Sequence, residues 1–230
     1  MKISNFKLAL AFPLSFPMVP SDFFFGCMSM ERPQFVMLRA ENGPIDAMRN
    51  NLVEDAIRHN CSHIMMMDCD MVYHPLTVPT LLAHKLPVVG ALCYRRYPPF
   101  DPLMLQGSPI KGYESIDNWK EGELVEVDAT GTGCLLFDMK IFRSMPAPWF
   151  KFRPNPNNEI GGIIGEDIGF CWDLRRAGHR IYVDTSVPSK HLTTLAVNDA
   201  TYRLYKSMKI KQREAAIKAA LNSGNNSQGG

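Results

Sequence analysis

Asp68-Cys69-Asp70 places two carboxylates one residue apart, directly after the apolar run His63-Ile64-Met65-Met66-Met67. A continuous apolar stretch bounded by polar residues fits a short strand covered on both faces. An acidic pair at the carboxyl end of such a strand lies where open α/β sheets bind ligands. On an extended segment the two side chains oppose each other, but where the strand breaks into a turn they can converge on one cation. Carboxylate oxygens suit Mg²⁺ or Mn²⁺, which take few protein ligands and leave room for substrate phosphates. The chemistry implied is a divalent metal with a diphosphate. A D-x-D triplet also arises by chance in turns, so its weight comes from its surroundings.

Other residues could share that chemistry, and each also has a plain structural reading. Arg49 precedes most of a long helix; it either contacts a nucleotide or diphosphate through its guanidinium fork, or pairs on the surface with Asp46 or Glu54. Arg95 and Arg96 follow a predicted strand and either hold a sugar or phosphate or are solvated. Thr130, Gly131, Thr132 and Gly133 either let the backbone approach a ligand or form a tight turn between strands. Trp149 and Phe150 are either an apolar platform for a sugar or base, or core. Glu166 and Asp167 open a predicted helix, where a carboxylate can act as a base and where acids also cap. His191 follows a strand, as a ligand or as a surface histidine.

The elements that must position these residues alternate. Phe6 to Ser15 reads as a strand, Phe16 to Cys27 as a proline-bearing loop and Gln34 to Arg39 as a strand. Pro44 to His59 reads as a helix, with Pro44 suited to the first turn and Ala47, Leu52, Ala56 and Ile57 giving part of an apolar face. After the strand before Asp68 come a helix from about Pro75 to His84 and a buried strand from Pro87 to Leu92. This order argues for a mostly parallel sheet covered by helices, a nucleotide-binding half-domain over residues 1–93. Neither a G-x-G-x-x-G nor a Walker-type phosphate loop is present.

Residues 94–197 are more mixed. Tyr94 to Tyr113 reads as an ordered loop, Leu124 to Asp128 and Gly133 to Phe137 as strands, and Met139 to Met145 as a short helix. Pro146 to Gly165 is rich in Pro, Asn and Gly, and is long enough to be a functional loop or lid. A helix over Ile168 to Ala177 stops at Gly178, and Arg180 to Asp184 is a strand. Asn198 to Leu221 reads as a terminal helix and residues 222–230 as a disordered tail. One domain over residues 1–221 is expected.

With 46% apolar and 21% charged residues, the composition is that of a soluble globular protein. A net charge of +2 excludes a globally basic nucleic-acid binder, so any basic patch is local. The cysteines match neither a zinc site nor a disulfide framework, which fits reduced thiols in a cytoplasmic protein. No apolar run reaches the ~18 residues of a bilayer span. Pro13 and Pro17 interrupt the N-terminal apolar stretch, favouring a first strand over a signal peptide.

Several blocks, in order, resemble a known family. Residues Ile45 to Val53 followed by Asp68-Cys69-Asp70 look like the donor-binding half of a GT-A-fold glycosyltransferase of the family-2-like kind. Asp128-Ala129-Thr130-Gly131-Thr132-Gly133-Cys134-Leu135-Leu136 resembles that family's acceptor-side strand, and Pro148-Trp149-Phe150 follows it. Gly165 to Cys171 resembles its catalytic E-D segment, and Val187-Pro188-Ser189-Lys190-His191 its late metal-ligand histidine. The match spans residues 5 to 195. It implies a compact Rossmann-like sheet with a smaller mixed acceptor-side sheet, and a metal-dependent hexosyltransferase using a nucleotide-sugar, expected to be a UDP-sugar.

By resemblance, Asp70 coordinates Mn²⁺ (or Mg²⁺), Asp68 reaches the metal through water or binds the donor ribose, and His191 completes the metal shell. An imidazole ligand favours manganese. Donor contacts fall to Arg49, Asp68, Arg95, Thr132 and Gly133, and acceptor contacts to Trp149 and Phe150. Asp167 is the expected base, assuming inversion at the anomeric carbon, with Glu166 on a donor or acceptor hydroxyl.

The terminal helix carries Arg203, Lys206, Lys209, Lys211, Arg213 and Lys218 against Glu214. That is either a solvated face or a surface for an anionic partner, a nucleic-acid backbone or a membrane. Some compact relatives of the family glycosylate hydroxymethylated pyrimidines in DNA, so a DNA acceptor stands beside a glycan. Two rival readings are a nucleotidyltransferase and a degenerate sugar- or nucleotide-binding domain. The first needs a Gly/Lys-rich phosphate loop near the first strand, and Ala11 to Phe25 lacks lysine, arginine and a glycine cluster.

Overall fold

The computed structural model describes residues 6–195 and 197–211. The chain divides into two units, Met1–Leu192 and Thr193–Gly230. The first contains β1 (Leu8–Leu14), α1 (Ser21–Ser29), β2 (Phe35–Glu41), α2 (Ile45–Arg58), β3 (His63–Met67), β4 (Met71–Val72), α3 (Thr77–Ala83) and β5 (Val88–Ala91). It continues with β6 (Leu105–Ser108), β7 (Gly112–Ser115), β8 (Leu124–Val127), β9 (Cys134–Asp138), α4 (Lys140–Ser144), β10 (Arg153–Pro154), β11 (Ile163–Ile164), α5 (Glu166–Arg176), β12 (Ile181–Asp184) and β13 (Lys190–His191). In the second unit the described residues form one helix over 199–211. The rest of the expected helix, to Leu221, and the tail at 222–230 lie outside the described residues.

The central sheet has seven strands in the order β2-β1-β3-β9-β5-β12-β8. Strands β2, β1, β3, β5 and β12 run one way, and β9 and β8 run the other. β1 pairs with both β2 and β3, so the chain winds outward from β1 in two directions, and the carboxyl ends of these strands are the switch point where open α/β sheets bind ligands. Small two-stranded sheets, β6-β7, β10-β11 and β4-β13, complete the α/β fold.

Strand alternation gives the core two layers. Ala9, Ala11, Ile64, Met66, Leu135 and Phe137 face α2, α4 and α5, whose Leu52, Phe142 and Phe170 cover them. Leu8, Leu10, Met65, Met67, Val89 and Leu136 face α1 and α3 through Phe23 and Leu81. Burial on both faces is why β3 reads as an unbroken apolar run.

Several segments differ from the sequence reading. The loop expected over Phe16 to Cys27 holds most of α1, whose Phe24 and Phe25 are exposed; without an apolar stripe, only the prolines mark this segment. The loop expected over Tyr94 to Tyr113 contains β6 and the start of β7, a hairpin. The span read as Ile168 to Ala177 starts earlier, where Glu166 and Asp167 open the helix as expected and Gly165 is its N-cap. Strands β8 and β9 are not neighbours: β8 lies at the sheet edge and β9 between β3 and β5, so residues 129–132 cross the sheet instead of turning a hairpin. No helix among the described residues is long and apolar enough to cross a membrane.

Candidate functional site

The antiparallel register of β3 and β9 sets Met67 against Cys134, which brings the residues just beyond the strands together. Asp68 N donates to Gly133 O at 3.0 Å, and the buried Tyr73 hydroxyl shares its one proton between Asp68 O at 2.6 Å and Gly133 O at 2.9 Å. A Cβ at Gly133 would lie 3.0 Å from Asp68 Oδ2, so glycine is what lets the carboxylate occupy this place.

Arg49 approaches from α2. The helix buries Met48, Arg49, Leu52, Val53 and Ala56, so the arginine sits within the core-facing stripe and is only 3% exposed. Its Nη2 donates to Asp68 Oδ1 at 3.1 Å and Oδ2 at 3.2 Å, and its Nε donates to Glu166 Oε1 at 3.1 Å. The surface pairing with Asp46 or Glu54 is not formed. Nη1 is buried with no hydrogen-bond partner, as is the Thr132 hydroxyl. A charge in an apolar helical stripe needs buried partners, and that position was the sequence signal for this role.

Glu166 and Asp167 begin α5. Burial raises the Glu166 carboxyl above its ordinary value and Asp167 adds to this, while Arg49 opposes them. Burial likewise raises Asp167, against the pull of Arg49 and the Ile168 amide, which donates to Oδ1 at 2.7 Å. A Cβ at Gly131 would come within 3.7 Å of Asp167 Oδ2, so the Thr130–Gly133 crossover passes beside this carboxylate. A carboxylate raised in this way is a better proton acceptor at neutral pH than a solvated one.

Asp70 belongs to a second group. The β4-β13 pair sets His191 opposite Met71, and His191 Nε2 lies 3.3 Å from Asp70 Oδ2. His191 Nδ1 is 2.7 Å from Tyr94 O; facing a carbonyl, it carries a proton, so the Asp70 contact is made by a protonated Nε2 that donates to the carboxylate and that a metal ion would replace. Arg96 Nη1 donates to the same Oδ2 at 3.0 Å. Burial pushes the Asp70 carboxyl up, but His191 and Arg96 outweigh it and hold the carboxyl below its usual range. The Asp70 contact raises His191.

Among the described residues no three His, Cys, Asp or Glu side chains converge to hold an ion. Asp70 Oδ2 and His191 Nε2 together offer one hard and one imidazole donor. That set fits a divalent cation whose other positions are filled by phosphate oxygens and water. Asp68 is turned to Arg49 and does not join them.

Three expected site residues lie elsewhere. Trp149 and Phe150 are core: their rings pack with Phe142, and Phe150 also packs with Phe170 at 4.7 Å between centroids. The Trp149 indole donates to Met145 O, so neither ring offers a platform to a sugar. Arg95 is exposed and is anchored through its backbone to Asp101 O, while its neighbour Arg96 reaches Asp70.

No family model matches this chain, and no curated protein matches its sequence. Solved structures match its fold. A197 from STIV is 16% identical, with a TM-score of 0.54 over 82% of this chain and 86% of that one. GalNAc-T7, solved with UDP, GalNAc and Mn²⁺, is 8% identical, with a TM-score of 0.59 over 83% of this chain. This chain spans 44% of that protein's length. The fold is glycosyltransferase-like.

Proposed function

We propose that this protein is a metal-dependent glycosyltransferase that moves a sugar from a nucleotide-sugar, a UDP-sugar, to an acceptor hydroxyl. The observation that carries the reading is the carboxyl end of β3, where Asp68 is held by the buried Arg49 that also holds Glu166, and Asp70, two residues on, meets His191. Support comes from the glycosyltransferase-like fold and from GalNAc-T7, whose structure contains UDP and Mn²⁺.

Asp70 and His191 are the residues that would hold Mn²⁺ (or Mg²⁺), which when bound neutralises charge on a departing nucleoside diphosphate. The unpartnered Arg49 Nη1 and Thr132 hydroxyl are buried donors for the nucleotide-sugar, and Gly133 acts on the donor side by making room for the Asp68 carboxylate. Asp167 accepts the acceptor's proton as its oxygen attacks the anomeric carbon. Glu166 binds a sugar hydroxyl while paired with Arg49. These roles give an inverting transfer.

Arg203, Lys206, Lys209 and Lys211 on the terminal helix support an anionic acceptor, with a hydroxymethylated pyrimidine in DNA as the specific candidate and a glycan as the comparison. All six cysteines are unpaired, which supports a cytoplasmic location.

The test is a screen of nucleotide-sugars for release of the nucleoside diphosphate, with Mn²⁺ and with chelator, on wild type and Asp70→Ala. Release that requires both Mn²⁺ and Asp70 is expected and identifies the donor. Failure of every nucleotide-sugar to bind or turn over would favour a catalytically degenerate binding domain. With the donor known, hydroxymethylated DNA and glycans are compared as acceptors.

A further inference from the structure

The loop 94–102 follows β5 and is closed on itself. Arg95 N donates to Asp101 O at 2.9 Å, Phe100 N donates to Tyr97 O at 2.8 Å, and Tyr94 forms an isolated bridge with Pro102. Its base is tied by Leu103 N to Cys93 O at 2.8 Å. This one loop supplies two of the groups around Asp70. The Tyr94 carbonyl orients His191, and the Arg96 guanidinium sits on Asp70 Oδ2.

The Arg96 contact is of a kind that gives way. The side chain is 49% exposed, and its attachments are the single ion pair to Asp70 and a ring contact with Tyr97 at 5.6 Å. Exposed ion pairs and exposed cation–ring contacts are both weak. Yet Arg96 uses the same oxygen, Oδ2, that faces His191 Nε2. A divalent ion shared by Asp70 and His191 cannot take that oxygen while the guanidinium remains on it without placing two positive groups side by side.

The geometry points to Arg96 as a displaceable stand-in cation. In the donor-free protein it neutralises Asp70; when a divalent ion binds there it leaves that oxygen and turns to the diphosphate that arrives with the ion. This inference rests on the reading of Asp70 and His191 as metal ligands. A guanidinium matches phosphate oxygens better than an ammonium does, and the loop already holds it beside the place the diphosphate would fill. The consequence is coupling: metal alone binds weakly because it must expel Arg96, and the nucleotide recovers that interaction. By linkage each ligand then raises the other's affinity, and part of that coupling resides in one side chain.

The test measures Mn²⁺ binding by the electron paramagnetic resonance signal of the free ion, without any turnover. It uses wild type, Arg96→Gln and Asp70→Asn, each with and without UDP. Arg96→Gln should bind Mn²⁺ alone about threefold to fivefold more tightly than wild type, the scale of one exposed ion pair. In saturating Mn²⁺ it should bind UDP about tenfold more weakly, for loss of a charge-assisted contact. Asp70→Asn should lose the ion in every condition.

Mn²⁺ affinity in Arg96→Gln that equals or falls below wild type, while Asp70→Asn still abolishes binding, overturns this inference and leaves the metal reading intact. Tighter Mn²⁺ with unchanged UDP affinity overturns the turn toward the diphosphate. No Mn²⁺ binding in wild type or Arg96→Gln, with or without UDP, overturns the metal reading and this inference together. The Mn²⁺-alone arm does not depend on which nucleotide is the natural one, and the partly exposed loop position tolerates glutamine.

Discussion

Arg49 Nε and the Glu166 carboxylate meet at 3.1 Å across 117 residues of chain, both side chains buried. The contact joins α2 to the first turn of α5, and the same guanidinium holds Asp68. Removing the guanidinium leaves the buried Glu166 carboxylate and the partly buried Asp68 uncompensated. Arg49→Met is expected to lose about 3–5 kcal/mol of stability, read by chemical denaturation. Arg49→Lys should recover little of it, because one ammonium cannot reproduce the fork that spans both acids. A loss below about 1 kcal/mol in Arg49→Met, the range of exposed pairs, would mean that water reaches this bridge.

Asp167 separates stability from activity. Its carboxyl is raised, chiefly by burial, so the charged form is disfavoured in the folded state. For such an acid the folded state is favoured while the group is protonated. The contribution therefore declines as pH rises from the ordinary carboxylate value through the raised one. Asp167→Asn keeps an oxygen acceptor for the Ile168 amide and lacks this decline. It should be more stable than wild type at neutral pH in thermal melts, while sugar transfer falls by about 100-fold or more. An active Asp167→Asn enzyme would remove Asp167 from the role of base.

Gly133→Ala tests the packing of Asp68. Backbone strain is absent here, and the added Cβ meets Asp68 Oδ2 at 3.0 Å and Cγ at 3.4 Å. The carboxylate must shift, loosening its contact with Arg49. A stability loss of about 1–3 kcal/mol is expected, with weaker nucleotide binding by calorimetry. Gly131→Ala meets Leu103 Cδ1 at 3.1 Å, the end of a flexible side chain, and should cost less. Equal effects in the two variants would show that the Gly133 contact is not special.

Asp184 sets an acid limit on the fold. Burial raises its carboxyl, but Ser186, through N at 2.7 Å and Oγ at 2.6 Å, and His84 Nε2 at 2.6 Å together hold it below its ordinary value. A depressed carboxyl stabilises the fold above its unfolded pKa, and that contribution is lost as pH falls through the folded value. Melting temperature should therefore drop as pH falls below about 4, the ordinary aspartate value. Asp184→Asn should be less stable at neutral pH and should show a shallower acid limb. Parallel acid limbs in the two proteins would assign the transition to other carboxylates.

Much of this arrangement is legible locally. The apolar run before Asp68, the proline that opens α2 and the glycine that closes α5 each mark their element through nearest-neighbour chemistry. Two-sided burial makes β3 an unbroken apolar run, and the D-x-D pair follows at its carboxyl end. α1 was hidden because its exposed Phe24, Phe25 and Met28 break the stripe that marks a surface helix.

The sequence by itself determined the alternation of strands and helices, the position of Asp68 and Asp70 at a strand end, and the acidic start of α5. Those features depend on residues within a few positions of each other. The tertiary structure decided that β9 inserts between β3 and β5 and sets Gly133 against Asp68. It also decided that Arg49 turns inward to two acids, that Arg96 and not Arg95 reaches Asp70, and that Trp149 and Phe150 are core. Strand order and register come from pairing between distant segments, and a side chain's partners come from what those pairings bring within reach. Neither is encoded in local periodicity, which says which face of an element is buried but not what it is buried against.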